Sequence, residues 1–175
     1  QKFVCEAGRR GLMVAPLDRE FMRWIYELRL GIEPIAAALA ARHAGTAAIG
    51  EGRALLAGGQ AALRDGDIGP LIGADMAFHM WIYATSRNRL FVDTMEGLWH
   101  HLRRAMREVL QQRDYRKAVR TELEQMLRAI GAHVEEAAAA LVRAHLTSAA
   151  VSVAVALPAS APAAASRPAP GGASQ

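Results

Sequence analysis

The segment IGPLIGADMAFHMWIYAT, residues 68–85, predicts a helix with an unusual inward face. That face consists of residues at helical spacing: Ile68, Ile72, Asp75, His79 and Ile82. Two ionisable side chains therefore interrupt an otherwise apolar stripe. Because burying a carboxylate or an imidazole is costly unless the group is paired or binds a metal, Asp75 and His79 need a compensating partner. The segment predicts a helical bundle with a polar or metal-binding site in its interior.

The rest of the sequence predicts further helices. Apolar residues keep helical spacing to about residue 155, and no alternating strand pattern appears after residue 17. The predicted helices span residues 18–43, 46–64, 68–85, 88–112 with room for a break, 116–130 and 133–155. Asp18 and Asn88 are suitable N-caps, and Asp65-Gly66-Asp67 is a turn sequence. Short connections between helices favour an all-α antiparallel bundle of about six to seven helices.

The first predicted helix carries a second apolar stripe. Its members are spaced i, i+4, i+7 and i+11: Leu28, Ile32, Ile35 and Leu39. We expect this stripe to face the core. Pro34 lies within the helix and removes the hydrogen bond to the carbonyl of Leu30, so we also expect a kink there.

Composition divides the chain into three parts. Residues 18–155 form the predicted helical domain, while residues 156–175 hold four of the seven prolines and predict a disordered tail. The apolar runs are Ala-rich and much shorter than the ~20 residues of a membrane span, so we expect no membrane segment. The opening residues lack a secretion signal, and the single cysteine, Cys5, cannot form an internal disulfide. We therefore expect a cytoplasmic protein.

The net charge of +4 is concentrated in one segment. Seven Lys or Arg residues lie between His100 and Arg120, against the two acids Glu108 and Asp114. Such a run is typical of a solvated helix face, and attraction of an anionic ligand or of DNA is the alternative.

The last predicted helix resembles the third in burying an ionisable group. Its inward stripe contains one histidine among apolar residues: Ala138, Leu141, Val142, His145 and Ala149. If His145 meets Asp75 and His79, the three residues can share one ligand or one metal ion. The alternatives are a self-satisfied Asp75 to His79 hydrogen bond and an ordinary core histidine.

Three blocks of the sequence resemble a known family. They are YELRLGIEPIAAALAARHA (residues 26–44), ADMAFHMWIYATSRNRLF (residues 74–91) and LRAIGAHVEEAAAALVRAHL (residues 127–146). In this order and spacing they resemble the FCD ligand-binding domain of GntR-family transcription regulators, over residues 17–146. The preceding GRRGLMVAPLD, residues 8–18, is similar to the final wing strand and linker of the family's winged helix-turn-helix domain. Residues 1–17 are thus interpreted as a remnant of that domain.

The resemblance implies a bundle that binds a small organic acid, often through a divalent metal held by one Asp and three His residues. Asp75, His79 and His145 match three of these ligands, but Leu123 stands where the remaining histidine is expected. Zn, Ni or Mn are the candidate metals for imidazole ligands. Three outcomes are open: the site binds metal weakly, it recruits Glu122 or Glu124 as a ligand, or it lacks the ion. We expect loss or weakening of metal binding, because Leu123 belongs to an apolar face.

The resemblance also implies a role for Arg29. It matches an arginine that often faces the family's pocket and pairs with a ligand carboxylate. The alternative is that Arg29 is a surface arginine. The expected function is an effector-sensing, homodimerising domain that acts on DNA through a winged helix-turn-helix largely absent from this chain. We expect no catalysis. A metal-dependent enzyme using Asp75, His79 and His145 is one alternative, and a structural helical bundle without effector is the other.

Overall fold

A computed structural model of the chain describes residues 4–6, 12–14 and 18–157. Two short strands, β1 (Val4–Glu6) and β2 (Leu12–Val14), pair antiparallel and precede a bundle of helices. The described helices are α1 (Arg19–His43), α2 (Thr46–Asp65), α3 (Ile68–Thr85), α4 (Arg89–Glu96), α5 (Trp99–Val109), α6 (Arg113–Gly131) and α7 (Glu135–Ala156). The predicted all-α bundle is confirmed, and the break expected in the fourth helix separates α4 from α5.

Two predicted domain boundaries concern the ends of the chain. The strands β1 and β2 lie in the segment interpreted as a wing remnant, and that interpretation stays a prediction. Nearly all of the predicted disordered tail, from residue 158 onward, lies outside the described residues. The helices α1 to α7 run from Arg19 to Ala156, and the domain bounds predicted at residues 18–155 stay a prediction.

The helix boundaries follow the predicted capping residues. The carboxylate of Asp18 accepts a hydrogen bond from the backbone N–H of Glu20 at 2.9 Å, and Asn88 caps α4 by accepting from Leu90 N–H at 3.1 Å. Gly66 ends α2 in the left-handed region with φ of 77°, which its lack of a side chain permits. Each cap satisfies backbone groups that the helix itself leaves unpaired.

The buried face of α1 differs from the predicted stripe. Leu28 is 40% exposed and Ile35 is 55% exposed, so the expectation that these two side chains face the core is wrong. Four alanines are fully buried instead: Ala36, Ala37, Ala40 and Ala41. Their small side chains let α7 pack along α1 over the most extensive helix contact in the described residues.

The helix α7 is long and apolar enough, by length and composition alone, to cross a membrane, and no other helix of the described residues is. It contacts α1, α5 and α6, and its inward side chains are buried among them: Ala138, Val142, His145, Leu146, Ala149 and Val153. A core helix of a helical bundle has the same length and composition, so the feature is weak evidence for a membrane span.

The contact of α2 with its neighbours depends on Gly52. A Cβ atom at this position would lie 2.8 Å from Cδ1 of Leu127 and 2.9 Å from Cζ2 of Trp81. The indole ring is held in place because its Nε1–H donates to the carbonyl of Ala48 at 2.9 Å. A side chain at position 52 therefore meets a ring that has little freedom to move.

We predict that Gly52→Val destabilises the fold. Overpacking against the fixed indole should lower the free energy of unfolding by about 1–3 kcal/mol, measured by urea denaturation. Gly50→Val on the same helix is the matched control, because nothing lies within 4 Å of a Cβ at that position. Equal stability of the two variants would contradict the tight packing described for Gly52.

Candidate functional site

Three predicted site residues meet inside the bundle. Asp75 and His79 lie one turn apart on α3, and His145 approaches them from α7. They are 7%, 0% and 6% exposed, and one potential ligand atom from each lies within 4.8 Å of the others. The rings of His79 and His145 have centroids 5.3 Å apart. This spacing lets all three side chains contact a single small ion.

A buried carboxylate orients His79. The Nδ1 atom of His79 lies 3.0 Å from Oε2 of Glu33 on α1. Since a carboxylate only accepts hydrogen bonds, Nδ1 carries the proton and Nε2 keeps a free lone pair. Nε2 is buried and has no hydrogen-bond partner among the described residues. The imidazole is therefore held in the tautomer that a metal ligand needs.

A second carboxylate orients His145 in the same way. Its Nδ1 atom lies 2.7 Å from Oε2 of Glu122 on α6. The Nε2 atom is then the one left to act as a ligand. Both imidazoles of the site thus have a carboxylate behind them, as is typical of histidines that bind metals in proteins.

Glu33 is itself neutralised by Arg29. The two side chains form an ion pair one turn apart on α1, through Nε and Oε1, and both are buried. Burial by itself would raise the pKa of the Glu33 carboxyl, but Arg29 and His79 hold that pKa well below its usual range. Burial likewise opposes the charge on Arg29, and the Glu33 carboxylate outweighs it and raises the pKa of the guanidinium. Both groups therefore stay ionised inside the bundle.

Sequence reasoning missed Glu33, although a signal for it was present. It lies four residues after Arg29 on the same helix, the spacing at which opposite charges pair. Arg29 also stacks close to aromatic rings, with its guanidinium carbon 5.2 Å from the Tyr26 centroid and 5.3 Å from that of Trp99. The arginine predicted to meet an effector is thus already engaged by a carboxylate and by two rings.

The donor set of the three residues fits a divalent metal ion. Oδ1 of Asp75 and Nε2 of His79 are buried without hydrogen-bond partners among the described residues. Leaving such groups unsatisfied costs about 1–3 kcal/mol each, and a cation between them would remove that cost. One carboxylate and two imidazoles are ligands that suit Zn, Ni or Mn.

The residue of α6 that the family resemblance places at the remaining ligand position is the apolar Leu123. Leu123 is buried and lines a small cavity beside Asp75. Of the two neighbouring acids, Glu122 contacts His145, and Glu124 pairs with Arg120 at 2.7 Å. Both acids therefore already have partners. The described residues offer three candidate ligands, Asp75, His79 and His145, and place a carboxylate behind each of the two imidazoles.

Two small cavities flank Asp75. One lies between α2, α3 and α6 and includes Arg116 and Leu123 in its wall, and the other is lined by Arg29 and His145. Each has a volume of about 20 Å³, enough for roughly one water molecule. The two cavities therefore leave room for about one water molecule each beside Asp75, and a larger ligand requires side chains around the site to move.

Comparison with known proteins identifies the domain. The family model described as the FCD domain matches residues 24–148. Among solved structures, the chain is similar to E. coli McbR/YncC, with a TM-score of 0.75 and 18% identity, over 86% of this chain and 76% of that one. It is also similar to Streptococcus agalactiae GntR, with a TM-score of 0.60 and 17% identity, over 85% of this chain and 74% of that one.

No curated protein sequence matches this chain. Both structural neighbours are GntR-family regulators. Because their sequence identities to this chain are only 18% and 17%, the two comparisons show a shared fold. The family model covers most of the helical bundle, including Asp75, His79 and His145. The chain therefore belongs to the FCD domain family, the regulatory domain of GntR-type transcription regulators.

Proposed function

We propose that this chain is the effector-sensing and dimerising domain of a GntR-type regulator, and that it senses a small organic acid through a divalent metal ion. The observation that supports this most directly is the convergence of Asp75, His79 and His145 in a buried site, where Oδ1 of Asp75 and Nε2 of His79 lack hydrogen-bond partners among the described residues. Each of the two histidines is backed by a carboxylate. That arrangement serves no purpose in a bundle that only needs an apolar core.

Asp75, His79 and His145 would hold the ion in this proposal. The ion supplies positive charge to attract a carboxylate oxygen. Glu33 and Glu122 fix the two rings, and the bundle around them excludes bulk water. Because Leu123 contributes no ligand, we expect the site to bind metal more weakly than a site with four protein ligands. Zinc, nickel and manganese remain the candidates.

The remaining parts of the proposal concern the whole regulator. Effector binding would shift the relation of two DNA-binding heads, each a winged helix-turn-helix that precedes this domain. Residues 1–17 fit the end of such a head. A regulator of this kind works in the cytoplasm, where its operator DNA is.

We predict that Zn²⁺ stabilises the protein through the three-residue site. At about 100 times its Kd, a ligand that binds only the folded state adds about 2.7 kcal/mol, which appears as a rise in Tm. Asp75→Asn, which keeps the side-chain shape, should lose most of this rise, while Asp93→Asn on the exposed face of α4 should keep it.

Equal stabilisation of both variants would mean that zinc binds elsewhere and would contradict the proposed site. The zinc-loaded protein is then screened with short organic acids by the same measurement. A further rise in Tm without consumption of the acid supports a sensor, whereas turnover would place the chain among metal-dependent enzymes. No response to any acid favours a structural bundle.

We predict that Glu122→Gln weakens zinc binding about tenfold, because loss of the carboxylate behind a ligating histidine lowers its basicity and loosens its orientation. Competition with a chromophoric chelator measures the Kd. Glu136→Gln, an exposed acid at the start of α7, is the control and should leave the Kd unchanged. Unchanged affinity in Glu122→Gln would show that the contact with His145 is merely structural.

The outward face of α1 supports the homodimer. Three large apolar side chains are exposed there at helical spacing, Trp24, Leu28 and Ile35, and nothing lies near Gly31 between them. Exposed apolar patches of this kind mark protein interfaces. A second copy of the chain, packed through the same face about a twofold axis, would cover it.

We predict that Ile35→Glu converts the dimer to a monomer, because the substitution places a charge in the apolar contact. Light scattering after size-exclusion chromatography measures the mass. Val155→Glu is the control, since Val155 is also an exposed apolar residue but lies near the end of α7. A monomeric wild-type protein, or a dimer that survives Ile35→Glu, would contradict this interface.

A further inference from the structure

The positive charge of the chain is concentrated in α5 and the first half of α6. Between His100 and Arg120 there are seven Lys or Arg residues and two acids, Glu108 and Asp114. This excess of five positive charges is larger than the net charge of +4 of the whole chain, so the remaining residues together are slightly negative. Such a distribution creates a local positive potential on one part of the surface.

Four of the seven basic side chains are exposed: Arg103 and Arg107 on α5, and Arg113 and Lys117 on α6. We call these four residues the basic patch. Each pair is spaced i, i+4 and therefore lies on one side of its helix. The two pairs flank the short connection of residues 110–112. None of the four forms an ion pair with another of the described residues, so their charge is available to a partner.

The helices that carry the basic patch meet the end of the bundle where α1 begins. The ring of His101, at the start of α5, lies 4.7 Å from that of Phe21, at the start of α1. Further along, Met106 of α5 and Tyr115 of α6 line one small cavity with Tyr26 of α1. The last turns of α7 lie beside the first turns of α1. The basic patch is thus carried at this end of the bundle.

The chain enters the bundle at the same end, because α1 is its first helix. In the proposed function, the part that precedes α1 is a DNA-binding head, and the present inference rests on that part of the proposal. DNA held by such a head lies on the side of the bundle from which the chain enters. The basic patch is therefore carried on the part of the bundle nearest to that DNA.

The chemistry of the basic patch fits phosphate groups. Guanidinium and ammonium groups are the side chains that bind phosphates most readily in proteins. An anionic membrane surface is the other large polyanion, but helices that bind membranes add large apolar side chains next to their basic ones. Neither α5 nor α6, both described along their whole length, has an exposed large apolar side chain. The phosphate backbone of DNA therefore fits better than a membrane.

We propose that the basic patch binds the phosphate backbone of DNA next to the site that the head reads. The helical bundle then contributes affinity without sequence preference, because phosphate contacts carry no direct information about the bases. Each basic side chain that reaches a phosphate releases condensed counterions, so the contact weakens steeply as salt rises. The bundle is in this way a second DNA-contacting surface, separate from the winged helix-turn-helix.

The experiment measures binding of this chain to a short fluorescein-labelled DNA duplex of arbitrary sequence, by fluorescence anisotropy over a range of salt concentrations. Four phosphate contacts predict a slope of about −3.6 in a plot of log K against log salt concentration. Arg107→Gln combined with Arg113→Gln should weaken binding about tenfold or more at low salt. The same double variant should reduce the slope to about −1.8, because two contacts remain.

Arg53→Gln combined with Arg128→Gln is the matched control. Both arginines are exposed, and the residues next to them, Gly52 and Leu127, pack together in the half of the bundle that holds the end of α6. This variant loses the same net charge away from the basic patch, so it should bind DNA within about twofold of the wild type, with an unchanged slope. Circular dichroism checks that both double variants fold.

Three results would overturn the inference. The first is no binding of the wild-type chain to the duplex at low salt. The second is an equal loss of affinity in the two double variants, which would make the binding a general effect of net charge. The third is binding to vesicles of phosphatidylcholine and anionic phosphatidylglycerol without binding to DNA, which would assign the basic patch to a membrane.

The outcomes separate this inference from the proposed metal site. A chain that binds zinc through Asp75 but does not bind DNA keeps the proposed sensing function and loses the inference. A chain that binds DNA through the basic patch but does not bind zinc keeps the inference and loses the metal ion of the proposed function. Loss of DNA affinity in Arg107→Gln with Arg113→Gln, and its retention in the control, supports the inference.

Discussion

The buried carboxylate of Glu33 is the constraint on which the interior of this bundle depends. A negative charge remains inside a protein only with close partners, and Glu33 has Arg29 on its own helix and His79 on α3. The contact with His79 ties α1 to α3 and fixes the proton on Nδ1. The other nitrogen of the ring is thereby kept for a ligand, so one charged group serves both the packing of the helices and the chemistry of the site.

Small side chains bring the third ligand into place. The buried alanines of α1 let α7 approach closely, and α7 carries His145 to Asp75 and His79. The large apolar residues of α1 are consequently left on the outer face, where a second copy of the chain can cover them. The face of α1 that packs against α7 and the apolar surface of the proposed dimer are thus two faces of the same helix.

The sequence was most informative where a pattern is local. Helix spans and the caps at Asp18 and Asn88 followed from residue spacing. The inward positions of Asp75, His79 and His145 also followed from spacing, whereas their meeting at one site was an open alternative that the family resemblance favoured. The inward face of α1 was predicted wrongly, because hydrophobicity alone favours the larger side chains whereas packing against α7 selects alanine. The contact of Glu33 with His79 was missed because the two residues are 46 positions apart in the sequence.

By itself the sequence determined the helical class, the order of the helices, and which three side chains have ligand chemistry. The tertiary structure alone decided that carboxylates from other helices stand behind both imidazoles, and that small cavities adjoin Asp75. The physical reason is distance along the chain. Helix spacing is fixed by neighbours within a few residues, whereas the charge state of a buried group depends on side chains brought together from separate helices.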